Sequence, residues 1–444
     1  MSGFRRAEVN SARLFEAAGL SGPPAPPTAS ARKPSRTLMT FVMAVGALNA
    51  ASLVGTALAF RWIDPASMGV WHTLLLASSY LTVVRLGILS GLGRELPFAL
   101  GQGDSVRARR IAATALAFNT ACSVLVAAAF LAALVFLWPR GAAWRLAVPA
   151  MAVISAVNLY LTYLQSTFRS DNDFARLARV HWVQAGLALL MPLFVYAWGF
   201  AGLCVHGVLQ VLLVTALAHA WRPLRVRWRF DAGLARELLA TGLPLFAASY
   251  LQTLAAGFDR VILLHQGGVP AVGYYAPAVA VLAAMAIVPG AVATYLYPRL
   301  SFALGQGRGA GELRRMALGG AALSVAVGLP LAIAGWMTAP GLIARFFPQY
   351  LASVPAVRWS LLAGVVWSLA PAAQLLGSLK AWRALWIYVG LLVAARATFP
   401  WLLARAYEPL AGVALGNLCA AGLAAVATLV LVWRSAAADK VVPA

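Results

Sequence analysis

Long apolar runs constrain this chain more than any other feature of its sequence. Of its 444 residues, 62% are hydrophobic and only 11% are charged, which is too little polar surface to cover a water-soluble globule. An apolar run of about 20 residues is long enough to cross the hydrocarbon core of a bilayer as a helix. The sequence therefore predicts an all-α, multi-pass membrane protein.

About twelve such runs can be placed along the chain. They lie near residues 38–60, 69–93, 111–137, 144–168, 177–198, 202–221, 238–264, 271–297, 316–338, 354–378, 384–403 and 409–433. The longest polar connection, Arg222 to Arg236, separates the sixth run from the seventh. This pattern predicts a disordered cytoplasmic tail (1–36), an N-terminal six-helix bundle (37–221, the N-half), a cytoplasmic linker (222–237), a C-terminal six-helix bundle (238–434, the C-half) and a short cytoplasmic tail (435–444).

The basic residues, which give a net charge of +22, lie between the apolar runs rather than together on one soluble face. Nucleic acid is therefore excluded as the partner. Membrane proteins keep their basic loops on the cytoplasmic side. With the N-terminus inside, the outer side keeps only Arg61, Arg140, Arg145, Arg345, Arg358 and Arg405. Both termini are therefore predicted to be cytoplasmic.

A six-residue motif occurs twice. Phe-Ala-Leu-Gly-Gln-Gly occupies residues 98–103 and returns at 302–307, each time followed by an arginine pair. The copies fall after the second and eighth runs, on the same side of the membrane, with six crossings between them. This placement predicts two similar bundles related by an axis along the membrane normal, a parallel pseudo-twofold repeat. Neither copy follows a strand or carries a Walker lysine, so the motif is interpreted as a turn and not as a phosphate-binding loop.

Four apolar runs carry polar side chains at helical spacing. The stripes are Asn49, Ser52 and Thr56; Ser78, Thr82 and Arg85; Ser155, Asn158, Thr162 and Gln165; and Ser249, Gln252 and Asp259. Single serines and threonines most often bridge neighbouring membrane helices. Stripes that contain larger amides or end in a charged group favour a hydrated cavity between helices.

Four charged residues lie inside the apolar runs and away from the first few residues at either end. Arg85 is eight residues from the cytoplasmic end of its run, ~12 Å deep at 1.5 Å per residue, and is expected to face water, an anion or a helix-end carbonyl. Asp259 and Arg260 lie near the outer end of the seventh run, and Arg396 lies at a similar depth in the eleventh. The sequence leaves open whether Asp259 pairs with Arg396 or belongs to a functional site.

Two segments of the sequence resemble those of a known family. One is the loop from Gly93 to Asp104, and the other runs from Thr241 to Phe246 and continues through 258–264 and 272–275. Both are similar to the polysaccharide or lipid-linked oligosaccharide flippases of the multidrug, oligosaccharidyl-lipid and polysaccharide (MOP) exporter superfamily. The resemblance implies alternating access between two bundles in the inner membrane, carrying a polyprenyl-diphosphate-linked oligosaccharide to the outer leaflet. It also implies contact with the bilayer and with other polysaccharide-assembly membrane proteins. Diphosphate recognition would fall to Arg85, and then to Arg260 and Arg396.

Other functions remain open at this point. A small-molecule (multidrug) antiporter of the same superfamily would favour acidic residues in the cavity, whereas this chain has three intramembrane arginines against Asp259. A polyprenyl-dependent glycosyltransferase or ligase would need acid, base or metal ligands, and the outer loops offer little more than Asp64 and Glu408. A purely structural scaffold would leave the charges without a role. The sequence therefore predicts no enzyme, no catalytic residue, no metal and no cofactor. The predicted cavity-lining set is Arg85, Asn49, Ser78, Thr82, Asn158, Thr162, Gln165, Gln252, Asp259, Arg260 and Arg396.

Overall fold

The computed structural model describes residues 36–306, 308–379 and 381–437. Residues 1–35 of the predicted N-terminal tail, Lys380 and residues 438–444 of the predicted C-terminal tail lie outside this part. The described chain is helical and contains no strand. Its helices are α1 (Arg36–Ala59), α2 (Pro65–Leu81), α3 (Ile88–Gly101), α4 (Ser105–Leu137), α5 (Ala142–Ser170), α6 (Phe174–Ala188), α7 (Met191–Ala220), α8 (Ala232–Tyr274), α9 (Ala276–Met285), α10 (Ile287–Gly305), α11 (Ala310–Phe346), α12 (Val354–Trp367), α13 (Gln374–Ser378), α14 (Trp382–Ala406) and α15 (Pro409–Ala437). Short 3-10 helices cover Thr82–Arg85, Trp138–Arg140, Pro348–Ser353 and Ala370–Ala373.

Eleven helical segments of the described chain are long and apolar enough to cross a membrane. A twelfth crossing follows from the geometry of α7. Gly199 interrupts that helix at a φ of 55°, and the chain folds back on itself there. His206 Nε2 lies 2.9 Å from the carbonyl of Leu187, and the Gln210 amide donates to the carbonyl of Gln184 at 3.3 Å. Residues 174–198 and 200–220 are therefore antiparallel, in agreement with the predicted fifth and sixth runs.

Four aspartates start helices. Each side chain accepts a hydrogen bond from a backbone N–H three residues ahead, at 2.9 Å for Asp64, 2.8 Å for Asp104, 3.0 Å for Asp173 and 3.1 Å for Asp231. Such a cap stabilises a helix by roughly 1 kcal/mol because it satisfies an otherwise unpaired donor. Four of the chain's 13 acidic residues are thus used to begin helices.

The two copies of the repeated motif share a backbone hydrogen bond, although Gly307, the last residue of the second copy, lies outside the described residues. In the first, the backbone N–H of Asp104 donates to the carbonyl of Ala99 at 3.1 Å; in the second, Arg308 donates to Ala303 at 3.1 Å. In both copies the bond joins the second residue of the motif to the residue that directly follows the motif. Gly103 ends the first copy at a φ of 75°, a conformation that favours glycine. The motif is therefore a turn at the end of a helix, and the shared bond is consistent with the predicted repeat.

Glycines bring the two halves together along one helix pair. The chain from α2 through α3 runs antiparallel to α8. A Cβ added at Gly69 would clash with the carbonyl of Val269, and one added at Gly91 with the carbonyl of Leu238. Between these points, the Tyr80 hydroxyl donates to the carbonyl of Leu254 at 3.1 Å. Because the halves touch so closely, Thr40–Ala444 forms one compact unit.

A second contact joins the halves at their predicted outer end. There the end of α1 meets the Pro348–Ser353 turn. The Gln349 amide donates to the carbonyl of Phe60 at 2.6 Å, and the Tyr350 hydroxyl donates to the carbonyl of Ile63 at 2.9 Å. The rings of Phe60 and Tyr350 lie 5.1 Å apart and are both buried. This end of the molecule is closed between α1 and the C-half.

Candidate functional site

The second membrane crossing is broken in its middle. Regular helix ends at Leu81, a 3-10 turn carries the chain to Arg85, and α3 begins at Ile88. The two residues between them, Leu86 and Gly87, have positive φ values of 47° and 86°. A leucine in this conformation is strained by about 1–2 kcal/mol, and inside a membrane span such a break is tolerated only against protein or water.

A polar cavity of about 300 Å³ lies beside this break. The broken crossing contributes Thr82, Arg85, Gly87, Leu89 and Ser90, α5 contributes Thr162, Ser166 and Arg169, and α8 contributes Phe246, Ser249, Tyr250 and Thr253. Because α5 belongs to the N-half and α8 to the C-half, the cavity lies between the two halves. Among the predicted residues, the structure brings Thr82, Arg85 and Thr162 together here.

Among the described residues, two arginines and no carboxylate line this cavity. Within the described residues, the guanidinium of Arg85 has neither a hydrogen bond nor an ion pair. The only bond of Arg169 there is from Nη2 to the hydroxyl of Ser166, at 3.3 Å. The cavity wall therefore carries two positive charges whose donors are largely free to bind an anion.

Sequence reasoning missed Arg169, which was assigned to a cytoplasmic loop. The structure shows that α5 continues to Ser170. Thr162, Ser166 and Arg169 then follow one another at helical spacings of four and three residues, so they share a face. The spacing was visible in the sequence, but the predicted end of the fourth run at residue 168 concealed it.

Eight of the eleven predicted residues do not line the cavity, and five of these eight are uncharged. Ser78 is used in helix packing, because its hydroxyl lies 2.7 Å from the hydroxyl of Ser155 on α5. Gln252 is exposed and donates at 3.3 Å to the carbonyl of Ala248 on its own helix. Asn49 and Asn158 are exposed, and Gln165 is half-buried outside the cavity lining.

The predicted charges of the C-half form a separate buried cluster. Asp259 is buried and accepts from the Arg260 backbone N–H at 2.7 Å and the Arg260 side chain at 3.4 Å. The amide of Asn417 lies 3.4 Å from the other carboxylate oxygen and 3.1 Å from the Tyr275 hydroxyl. Asp259 is thus neutralised by its neighbour in sequence.

Arg396 does not form the direct ion pair that was one of the two predicted alternatives. Its guanidinium stacks on Trp367, 4.4 Å from the ring centroid, and its buried Nε has no partner among the described residues. Asp259 and Arg260 lie within electrostatic range of it. Asp259, Arg260 and Arg396 therefore lie close together, but none of them lines the cavity at Arg85.

A larger cleft of about 580 Å³ lies between α2, α4 and the start of α5. Its walls are mainly apolar, including Leu74, Ala77 and Phe130, and its single charged residue is Arg140. Such a surface suits hydrocarbon better than a charged group. The smaller cavity, which has two arginines, is the candidate site. Within the described residues, no group of three His, Cys, Asp or Glu side chains lies close enough to hold a metal ion.

Solved transporter structures share this fold. One is the inward-facing conformation of a multidrug resistance MATE family transporter of the MOP superfamily, with a TM-score of 0.77 and 16% identity over 89% of this chain and 96% of that one. Another is the outward-facing conformation of a multidrug resistance MATE family transporter, with a TM-score of 0.66 and 16% identity over 92% of this chain and 98% of that one. The Vibrio cholerae MATE transporter VcmN gives 0.58 and 16% over 91% and 96%. No curated protein matches significantly.

The sequence itself carries the family assignment. Residues 75–355, more than half of the chain, match the family described as "Polysaccharide biosynthesis protein". The match includes the break after Leu81, the cavity arginines and all of α8. The chain is therefore a multi-pass membrane protein with the fold of these transporters, and it belongs to the polysaccharide biosynthesis protein family.

Proposed function

We propose that this transporter moves a polyprenyl-diphosphate-linked oligosaccharide from the cytoplasmic to the outer leaflet of the inner membrane by alternating access, with both termini in the cytoplasm. The observation that carries the proposal is the cavity between the halves, to which the described part of the chain contributes Arg85 and Arg169 but no carboxylate. A charged, hydrated head group needs such a cavity to cross about 30 Å of hydrocarbon.

The cavity has the chemistry that a diphosphate requires. Two guanidinium groups can each bind phosphate oxygens through paired N–H donors. Gly87, Leu89 and Ser90 at the N-terminal end of α3 also line the cavity, so the positive end of that helix dipole lies beside the arginines. The hydroxyls of Thr162 and Ser249 add donors that suit sugar and phosphate alike.

The same geometry supports an inward-facing state. The contact of Phe60 and Ile63 with Gln349 and Tyr350 closes the predicted outer end. The fold also superposes better on the inward-facing transporter, at a TM-score of 0.77, than on the outward-facing one, at 0.66. In this state the head group would enter from the cytoplasm while its polyprenyl chain stays in the bilayer.

A flipping assay tests the proposal. Proteoliposomes carrying a fluorescent polyprenyl-diphosphate oligosaccharide should show protein-dependent loss of the inner-leaflet signal. Arg85→Gln and Arg169→Gln should each weaken binding about 10-fold or more, since a hydrogen bond to a charged group contributes about 1.5–3 kcal/mol. Arg94→Gln removes an equally charged but exposed arginine on α3 and should behave like the unaltered protein. Full activity in both cavity variants would refute the proposed site.

The alternative is transport of small cationic compounds, and the names of the MATE structures favour it. An organic cation would be repelled by the charges of Arg85 and Arg169. The two functions are separated by measuring uptake of a cationic dye in the same proteoliposomes. Dye transport without lipid flipping would replace the proposed substrate class. Roles for Asp259, Arg260, Arg396 and the exposed amides, and contacts with other polysaccharide-assembly proteins, remain predictions.

A further inference from the structure

The linker between the halves has a pattern that its topology does not require. Residues 222–230 read Arg-Pro-Leu-Arg-Val-Arg-Trp-Arg-Phe, and they adopt neither helix nor turn beyond a bend at Pro223. In an extended chain, alternate side chains point to opposite sides. Arginines therefore occupy one side of the segment and apolar side chains the other. A need for basic residues on one side of the membrane explains the arginines but not the aromatic residues between them.

The apolar side of the linker begins on the protein and continues away from it. Leu224 packs against the buried core of the N-half. Further along the same side, Trp228 is 65% exposed and Phe230 is 52% exposed. Both residues lie between the ends of two membrane crossings, α7 and α8, which places them close to the membrane surface. Tryptophan and phenylalanine at that level are stabilised by the lipid interface.

The arginines on the other side have no protein partner. Arg225, Arg227 and Arg229 are exposed and form no ion pair within the described residues. The nearby carboxylates are already used, because Asp231 binds Arg110 at 2.7 Å and Glu237 binds Arg107 at 2.6 Å. Three adjacent positive charges thus remain available to an external anionic partner.

The ends of the segment are fixed to the N-half. Trp221 lies under the guanidinium of Arg179, 5.1 Å from the ring centroid, and Asp231 is held by Arg110. The segment between them is about 30 Å long if extended at about 3.3 Å per residue. Its position at the edge of the membrane is therefore set by the fold, while its own side chains stay free.

We propose that residues 224–230 form a binding segment for anionic phospholipids. Trp228 and Phe230 enter the headgroup region, and Arg225, Arg227 and Arg229 bind lipid phosphates at the same level. This arrangement is the extended-chain counterpart of an interfacial amphipathic helix. It does not depend on which substrate the central cavity carries.

Hydrogen–deuterium exchange tests the proposal in nanodiscs of phosphatidylcholine with and without phosphatidylglycerol. The backbone amides of 224–230 donate no hydrogen bond to any described residue, so they should exchange fast unless lipid covers them. We expect slower exchange when phosphatidylglycerol is present. Each arginine replaced by glutamine should raise the phosphatidylglycerol content needed for half-maximal protection by about fivefold.

The matched control removes the same charge elsewhere on the same side of the membrane. Arg94 lies within α3, and Arg109 and Arg315 lie near the starts of α4 and α11; all three side chains are exposed. Their triple glutamine variant should keep the protection at 224–230, and the triple variant of the linker arginines should lose it. Equal exchange in both lipids would overturn the proposal, as would equal loss in both triple variants. Equal exchange would assign the exposed aromatic residues to a protein partner instead.

Discussion

The junction at Gly87 should be highly sensitive to a single methyl group. Its φ of 86° costs an alanine about 1–2 kcal/mol, and a Cβ there would lie 2.7 Å from the carbonyl oxygen of Gly242, which requires backbone movement. Overpacking of this kind costs about 1–3 kcal/mol. The two effects together predict that Gly87→Ala destabilises the protein by about 2–5 kcal/mol, and that the damage falls on the contact between the halves.

Three other alanine substitutions separate these two contributions. Gly103 has a φ of 75° and open space around it, so its variant should show the backbone cost alone. Gly69 has an ordinary helical φ but faces the Val269 carbonyl, so its variant should show the steric cost alone. Gly93 lies within α3 with nothing within 4 Å, and alanine there should stabilise by about 0.5–1 kcal/mol.

Thermal unfolding of the purified protein in one detergent ranks the four variants. The expected order of stability, from highest to lowest, is Gly93→Ala, then Gly103→Ala and Gly69→Ala, then Gly87→Ala. If Gly87→Ala is no less stable than Gly103→Ala, then α3 moves away from α8 at no cost. In that case the close approach at Gly242 does not hold the halves together.

Three further changes test other contacts. Ser78→Ala should cost about 0.6 kcal/mol, up to about 1.7, and leave flipping intact, because the hydroxyl bonds Ser155 rather than facing the cavity; loss of flipping at normal stability would contradict this. Tyr350→Phe should cost about 1–3 kcal/mol of stability, because it leaves the carbonyl of Ile63 without its donor. It should also increase the labelling of cysteines introduced on the predicted outer side, because the outward-facing state gains population. Unchanged labelling would show that this contact does not close the outer end. The hydrogen bond from the Arg110 side chain, together with that from the backbone N–H of Leu234, lowers the pKa of Asp231. The ionised carboxylate therefore contributes its full stabilisation above pH ~4, and this stabilisation is lost as the pH falls through the lowered pKa. An Asp231→Asn variant should therefore lose less stability than the unaltered protein between neutral pH and about pH 3, and parallel pH curves would contradict the assignment.

Much of the fold could be predicted because the bilayer imposes a simple rule. A crossing needs about 20 apolar residues, and this requirement located the eleven segments that are long and apolar enough to cross in the described chain. It also separated residues 177–198 from 202–221, and the chain folds back between these two runs at Gly199. The turn at Gly103 was also readable, since glycine there permits a positive φ. The division of the chain at residues 222–237 into two domains stays a prediction.

The site was less predictable, because helical periodicity shows which residues share a face but not what that face touches. Ser78 and Thr82 belong to one stripe, yet Ser78 bonds a neighbouring helix and Thr82 lines the cavity. The break after Arg85 then separates both residues from α3, which forms the rest of the crossing. A leucine at positive φ gives no signal in the sequence, so Leu86 could not have indicated that break.

The break divides one long helix contact into two patches. A continuous helix packed along α8 would have to separate from it over its whole length at once. Here α2 meets α8 through Gly69 and Tyr80, and α3 meets it through Gly91, with the non-helical joint at Leu86 and Gly87 between the two helices. One patch can therefore lose its contacts while the other keeps them, and each step breaks only part of the interface. A molecule built this way can open on one side of the membrane while staying closed on the other.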